Sequence, residues 1–118
     1  MRAINNVLTS DLKIHIATGF WQRARGLLGL SSIDIDYAML FPNCNSVHTV
    51  GMRFAIDVVF IDKAGRILKL VSSLPPMRIA HVRGAAGVLE LAAGQAARRI
   101  CELEQALFLI NQPFKEAS

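Results

Sequence analysis

Two apolar runs, "IDVVFI" (Ile56–Ile61) and "ILKLV" (Ile67–Val71), lie on either side of Asp62-Lys63-Ala64-Gly65 and Arg66. Runs of that length, rich in β-branched residues and bounded by turn residues, read as strands, and so short a connection makes them antiparallel neighbours. Gly65 supplies the left-handed residue such a hairpin loop needs. The first run is apolar on both of its faces, which places it centrally in a sheet. That single hairpin commits the chain to a β-rich core.

Other segments add to it. "DLKIHIAT" (Asp11–Thr18) alternates, with Leu12, Ile14 and Ile16 on one side and Lys13 and His15 on the other, as in a half-buried strand. "YAMLF" (Tyr37–Phe41), "VLEL" (Val88–Leu91) and "ALFLI" (Ala106–Ile110) read as further strands. The spacing predicts a helix over Phe20–Leu28, capped by Thr18 and ended by Gly29, and a second from Ala93 to about Cys101. "SSLPPMRIAHVRGAAG" (Ser72–Gly87) has no steady period and holds two prolines, and reads as a long, mostly irregular loop of the kind that often carries function. The expected architecture is mainly β, an antiparallel sandwich or partly closed barrel with two short helices. With 118 residues and no linker or repeat, residues 1–118 are expected to form a single domain, large enough to need no disulfide or metal staple.

Composition narrows the function classes. Nine of the thirteen basic residues are Arg and the net charge is +4, which favours an anionic ligand. The bases are scattered, and one Trp and one Tyr give few stacking platforms, so nucleic acid is not expected as a partner. No apolar run approaches the ~20 residues that cross a bilayer. The start, "MRAINNVLTSD", lacks the apolar segment of a signal peptide, so the expected setting is cytoplasmic, without membrane. Cys44 and Cys101 form no CxxC pair and are expected as free thiols. Cys44, His15, His48 and His81 share no ligand spacing, so neither a metal nor a cofactor is expected.

"SVHTVGMRFAIDVVFID" (Ser46–Asp62) is the chemically dense stretch. Laid out as a straight strand, His48 and Asp57 would stand ~30 Å apart. Gly51 lets the chain bend and can bring His48 and Thr49 back over the start of the Ile56–Ile61 strand. Asp57 beside "VVFI" is costly unless paired. It can serve as a general base with a pKa raised by burial, or accept backbone N–H groups and fix a bend. Arg25 can clamp an anion or tie its helix to Asp57 or Glu90; Glu90, between Leu89 and Leu91, calls for such a partner. His48 can be an acid–base group or a ligand contact. A Cys44–His48 thiol–imidazole pair is a further, less favoured arrangement.

"RARGLLG" (Arg23–Gly29), "MLF" (Met39–Phe41), "VHTVGMRFAIDVVFID" (Val47–Asp62) and "VLELAAG" (Val88–Gly94) occur in this order. Together they resemble the domain-of-unknown-function 192 family, small prokaryotic proteins of unassigned role. The resemblance runs from about Lys13 to Ile110 and implies a β-rich, sandwich-like domain. Its motif residues here are Arg25, Gly26, Leu27, His48, Thr49, Met52, Asp57, Glu90 and Gly94, and their polar members imply a shared pocket. Where the family tends to have Gly-Asp before its last strand, this chain has Glu104-Gln105. Three functions follow as expectations. One is a domain binding a small anionic or sugar-like ligand through Arg25, His48, Thr49, Met52 and Asp57, with Glu90, Gly51 and Gly65 as structural residues. The others are an enzyme using His48 and Asp57 as acid and base, and an interaction module whose Ser72–Gly87 loop docks a partner protein.

Overall fold

The computed structural model describes residues 6–9, 12–17 and 32–117, with side chains over 12–17 and 32–110. The strands are β1 (Asn6–Thr9), β2 (Leu12–Ile16), β3 (Tyr37–Pro42), β4 (Ser46–His48), β5 (Ile56–Ile61), β6 (Ile67–Leu74), β7 (Ile79–His81) and β8 (Gly87–Ala92). Two helices follow, α1 (Gln95–Arg98) and α2 (Ile100–Ala117). A six-stranded sheet has the order β1-β2-β3-β8-β5-β6, and β4 and β7 form a separate two-stranded ribbon. The protein is mainly β and sandwich-like, and the sheet stays open, with β1 and β6 at its edges.

Central position follows from composition. β5 and β8 are buried at every residue and pair along their whole length, Val59 opposite Leu89 and Phe60 opposite Val88. Alternation then sends neighbouring side chains to opposite faces. Val59, Ile61, Leu89 and Leu91 meet Leu103, Ala106 and Leu107 of α2 on one face. Ile56, Val58, Phe60 and Val88 meet Met52 and Leu74 on the other, where Val47 of β4 and Ala80 of β7 pack over them. The hairpin between β5 and β6 is closed by Asp62, whose Oδ1 accepts the N–H groups of Ala64 and Arg66 at 2.9 Å each. Gly65 sits there at φ 86°.

Three sequence expectations are corrected. "ALFLI" is part of α2 and not a strand: Leu103, Ala106, Leu107 and Ile110 recur with helical spacing against the sheet, while Phe108 and Leu109 point to solvent. A continuous apolar run fits either period, and only its exposed members distinguish them. The helix expected from Ala93 to Cys101 is a four-residue α1 that breaks at Arg99, beyond which α2 runs for 18 residues. Ser72–Gly87 is mostly irregular, as expected, with β6 continuing to Leu74 and β7 occupying Ile79–His81. The main sheet is not wholly antiparallel: β2 and β3 are parallel, Ile14 opposite Ala38. The helix expected over Phe20–Leu28 lies outside the described residues.

Candidate binding surface

The chain leaves β4 at His48 and turns sharply. Gly51 has φ 90°, and the Met52 N–H donates back to the Thr49 carbonyl at 3.1 Å. Thr49 is fully buried and ties this turn to the segment between β6 and β7. Its hydroxyl donates to the Pro75 carbonyl at 2.6 Å and accepts the Arg78 N–H at 2.8 Å. Its backbone N–H donates to the Arg78 carbonyl at 2.8 Å, and its carbonyl accepts the Met77 N–H at 3.1 Å. Threonine suits this place because a hydroxyl both donates and accepts, and the β-branched side chain is stiff. Met77 pays a conformational cost there, at φ 66°, a region that long side chains rarely occupy.

What this knot presents outward is apolar. Val50 is 46% exposed, Met77 65% and Ile79 76%. Ile79 pairs in register with His48 across the ribbon. His48, Arg53, Arg78, His81 and Arg83 are all exposed around them. No Asp or Glu occurs between Asp36 and Asp57, or between Asp62 and Glu90, so no acidic side chain interrupts either of the two segments that build the surface. Met52, expected as a pocket wall, is buried with Ile56 and Leu74 beneath it.

Asp57 faces the other way. It alternates with Ile56 and Val58 on β5, stands opposite Leu91, and has no solvent exposure. Its Oδ1 accepts the Ser73 N–H at 2.8 Å and its Oδ2 accepts the Ala96 N–H at 2.9 Å. Ser73 takes φ 50°, and the β5–β6 register shifts between Ile56 and Val58. The carboxylate thus fixes a bulge in β6 and the first residues of α1 together. His48 and Thr49 serve the ribbon side of the sheet and Asp57 the helix side. Arg25 lies outside the described residues.

Glu90 is on the ribbon-side face, between Met39 of β3 and Val58 of β5, and is 7% exposed. Burial pushes its carboxyl up to about 7. Among the described residues no side-chain hydrogen bond holds this carboxyl, and burial alone accounts for the rise. At the far end of the sheet a cavity of about 240 Å³ is lined by Leu40, Pro42, Ile61, Gly87, Leu107 and Ile110 among others. Its carboxylate, Asp62, is spent on the hairpin N–H groups. Among the described residues no group of three or more His, Cys, Asp or Glu side chains could hold a metal ion. Cys44 and Cys101 are free thiols. Among those same residues no helix is long and apolar enough to cross a membrane.

Sequence reasoning singled out His48 and missed Val50, Met77 and Ile79. The signal was present: an apolar Met and Ile on either side of Arg78, just after a Pro-Pro step, in a segment with no regular period. Large apolar residues in such a place have no core face to occupy.

A mixed sheet with helices on one face and a small ribbon on the other, crowned by a cationic loop surface with an apolar tip, defines a β-rich, sandwich-like protein. The chain belongs to the DUF192 family, described as Uncharacterized ACR, whose sequence profile matches residues 3–107. Two solved structures are similar to it. One, a protein of unknown function from Novosphingobium aromaticivorans DSM 12444, has 19% identity and a TM-score of 0.65, over 79% of this chain and 74% of that one. The other, from Sinorhizobium meliloti 1021 and described as a "putative transcription regulator", has 26% identity and a TM-score of 0.66, over 79% of this chain and 81% of that one. Among curated proteins none matches.

Proposed function

We propose that this chain is a binding module that captures an anionic partner on the surface built by His48–Arg53 and Pro75–Arg83. The observation that carries this reading is the joining of the two segments through Thr49, which holds His48, Arg53 and Arg78 at the surface without a competing carboxylate in either segment. A preorganised cationic surface loses little entropy on binding and attracts anions over a Debye length. Two features argue against an acid–base centre made of His48 and Asp57. Asp57 has both oxygens occupied and no exposure, and it lies on the opposite face of the sheet from the ribbon. Thr49 likewise has its hydroxyl committed. In this reading both are scaffold, and His48 is the contact. Arg25 remains a candidate to extend the surface or to neutralise Glu90.

The test is binding of fluorescent polyglutamate, followed by anisotropy at several salt concentrations. R53E/R78E should weaken binding by about tenfold or more with an unchanged melting temperature. K63E/K69E, the same change of charge placed on β6 and its hairpin, should weaken it much less. Equal losses in the two double variants would mean that only net charge matters, and would overturn the assignment of the surface.

A further inference from the structure

The apolar tip says more about the partner than the charges do. We propose that the surface docks a protein segment in which carboxylates flank an exposed apolar side chain. This inference rests on the anionic-partner reading and adds the chemical class of that partner.

Three features favour a protein segment. First, Val50, Met77 and Ile79 project from a rigid base, and an anion alone gives them nothing to bury against. An apolar side chain of the partner would cover them, and the flanking carboxylates would meet Arg53, Arg78 and Arg83. Second, the residue types are those of protein interfaces. Arg and Met are enriched in such interfaces and Lys is depleted; these two segments hold three Arg and Met77 and no Lys, although the chain has Lys elsewhere. Methionine also adapts its shape to varied apolar partners. Third, other occupants fit less well. Interfacial membrane binders place Trp and Tyr rings at the headgroup level, and the two segments that build the tip hold no Phe, Tyr or Trp. Nucleic acid would find no Phe, Tyr or Trp to stack on in these two segments and would leave the three apolar tips against phosphate. A second copy of this chain would set one cationic surface against another. The strained backbone at Met77 is consistent with this role, since the fold holds a long apolar side chain outward at a position where Gly would be relaxed.

The experiment compares two labelled peptides of equal charge, one polyglutamate and one alternating Glu with Leu, by anisotropy on the full chain. Vesicles rich in anionic lipid and a short DNA duplex serve as the other arms. The Glu-Leu peptide should bind about tenfold more tightly than polyglutamate. M77S/I79S should erase that advantage and leave polyglutamate binding as it was, with circular dichroism confirming the fold. V50S provides a single, milder version should the double variant fail to fold, and should reduce the advantage in part. If both peptides bind the wild type equally, the apolar tip plays no part and this inference falls while the anionic reading stands. If neither peptide binds, both fall. Tighter binding to vesicles or duplex than to either peptide would overturn the partner class.

Discussion

Replacing Asp57 with Ala removes a buried carboxylate that two backbone N–H groups depend on. The Ser73 N–H at 2.8 Å and the Ala96 N–H at 2.9 Å would lose their acceptor, and water cannot substitute freely beside a side chain with no exposure. A hydrogen bond to a charged group contributes about 1.5–3 kcal/mol, and an orphaned buried donor costs about 1–3 kcal/mol. Asp57→Ala should therefore destabilise the fold by about 3–5 kcal/mol. At roughly 4 °C per kcal/mol for a domain of this size, the melting temperature should fall by roughly 12–20 °C. Asp57→Asn keeps one acceptor but turns an amide N–H₂ toward a backbone donor, and should lose about half as much. Urea unfolding at neutral pH gives both values. A loss below about 1 kcal/mol for Asp57→Ala, or a gain for Asp57→Asn, would refute the holding role. Either result would restore Asp57 as a strained functional carboxylate, since removing such a group relieves the structure.

Two further outcomes follow from the interior. Glu90 has its carboxyl raised from an ordinary 4.5 to about 7, so the folded state holds its proton more tightly than the unfolded chain. The contribution is therefore intact below pH ~4.5 and is lost as pH rises to ~7, by roughly 3 kcal/mol in all. Glu90→Gln should flatten that decline and stabilise the protein at pH 8; destabilisation at pH 8 would instead show an ionised Glu90 with a cationic partner such as Arg25. Thr49→Val keeps the shape but removes the donor to Pro75 and the acceptor for Arg78, and should cost about 2–3 kcal/mol. Hydrogen exchange of the Met77 and Arg78 amides should quicken well before the rest of the fold opens, and unchanged exchange at those two amides would contradict the knot.

The sequence reading was strongest where local pattern and burial agree. The hairpin at Asp62–Gly65 and the central place of β5 follow from short apolar runs and a single turn residue, and the bend at Gly51 from a residue that alone is relaxed at φ 90°. It was weakest where two periods fit one run. Ala106–Ile110 is apolar throughout, and the helix is revealed only by Leu103 upstream and by the exposure of Phe108 and Leu109. The need of Asp57 for partners was legible, but their identity was not. They are backbone N–H groups 16 and 39 residues away, invisible to any local pattern and unmarked by residue type. The surface was half legible. His48 and Arg53 stand out as polar residues near a bend, whereas Val50, Met77 and Ile79 read as ordinary apolar residues until the Thr49 knot turns them outward.

The central claim is that the working surface of this protein is the knot of His48–Arg53 with Pro75–Arg83. The most direct measurement is an NMR titration of isotope-labelled protein with the alternating Glu-Leu peptide, following backbone amides and the Met77 and Ile79 methyl groups. The account predicts that the shifts concentrate at residues 48–53 and 75–83, with the Met77 and Ile79 methyls among the largest. Shifts gathered instead around Leu40, Ile61, Gly87 and Ile110, at the cavity on the far end of the sheet, would contradict it.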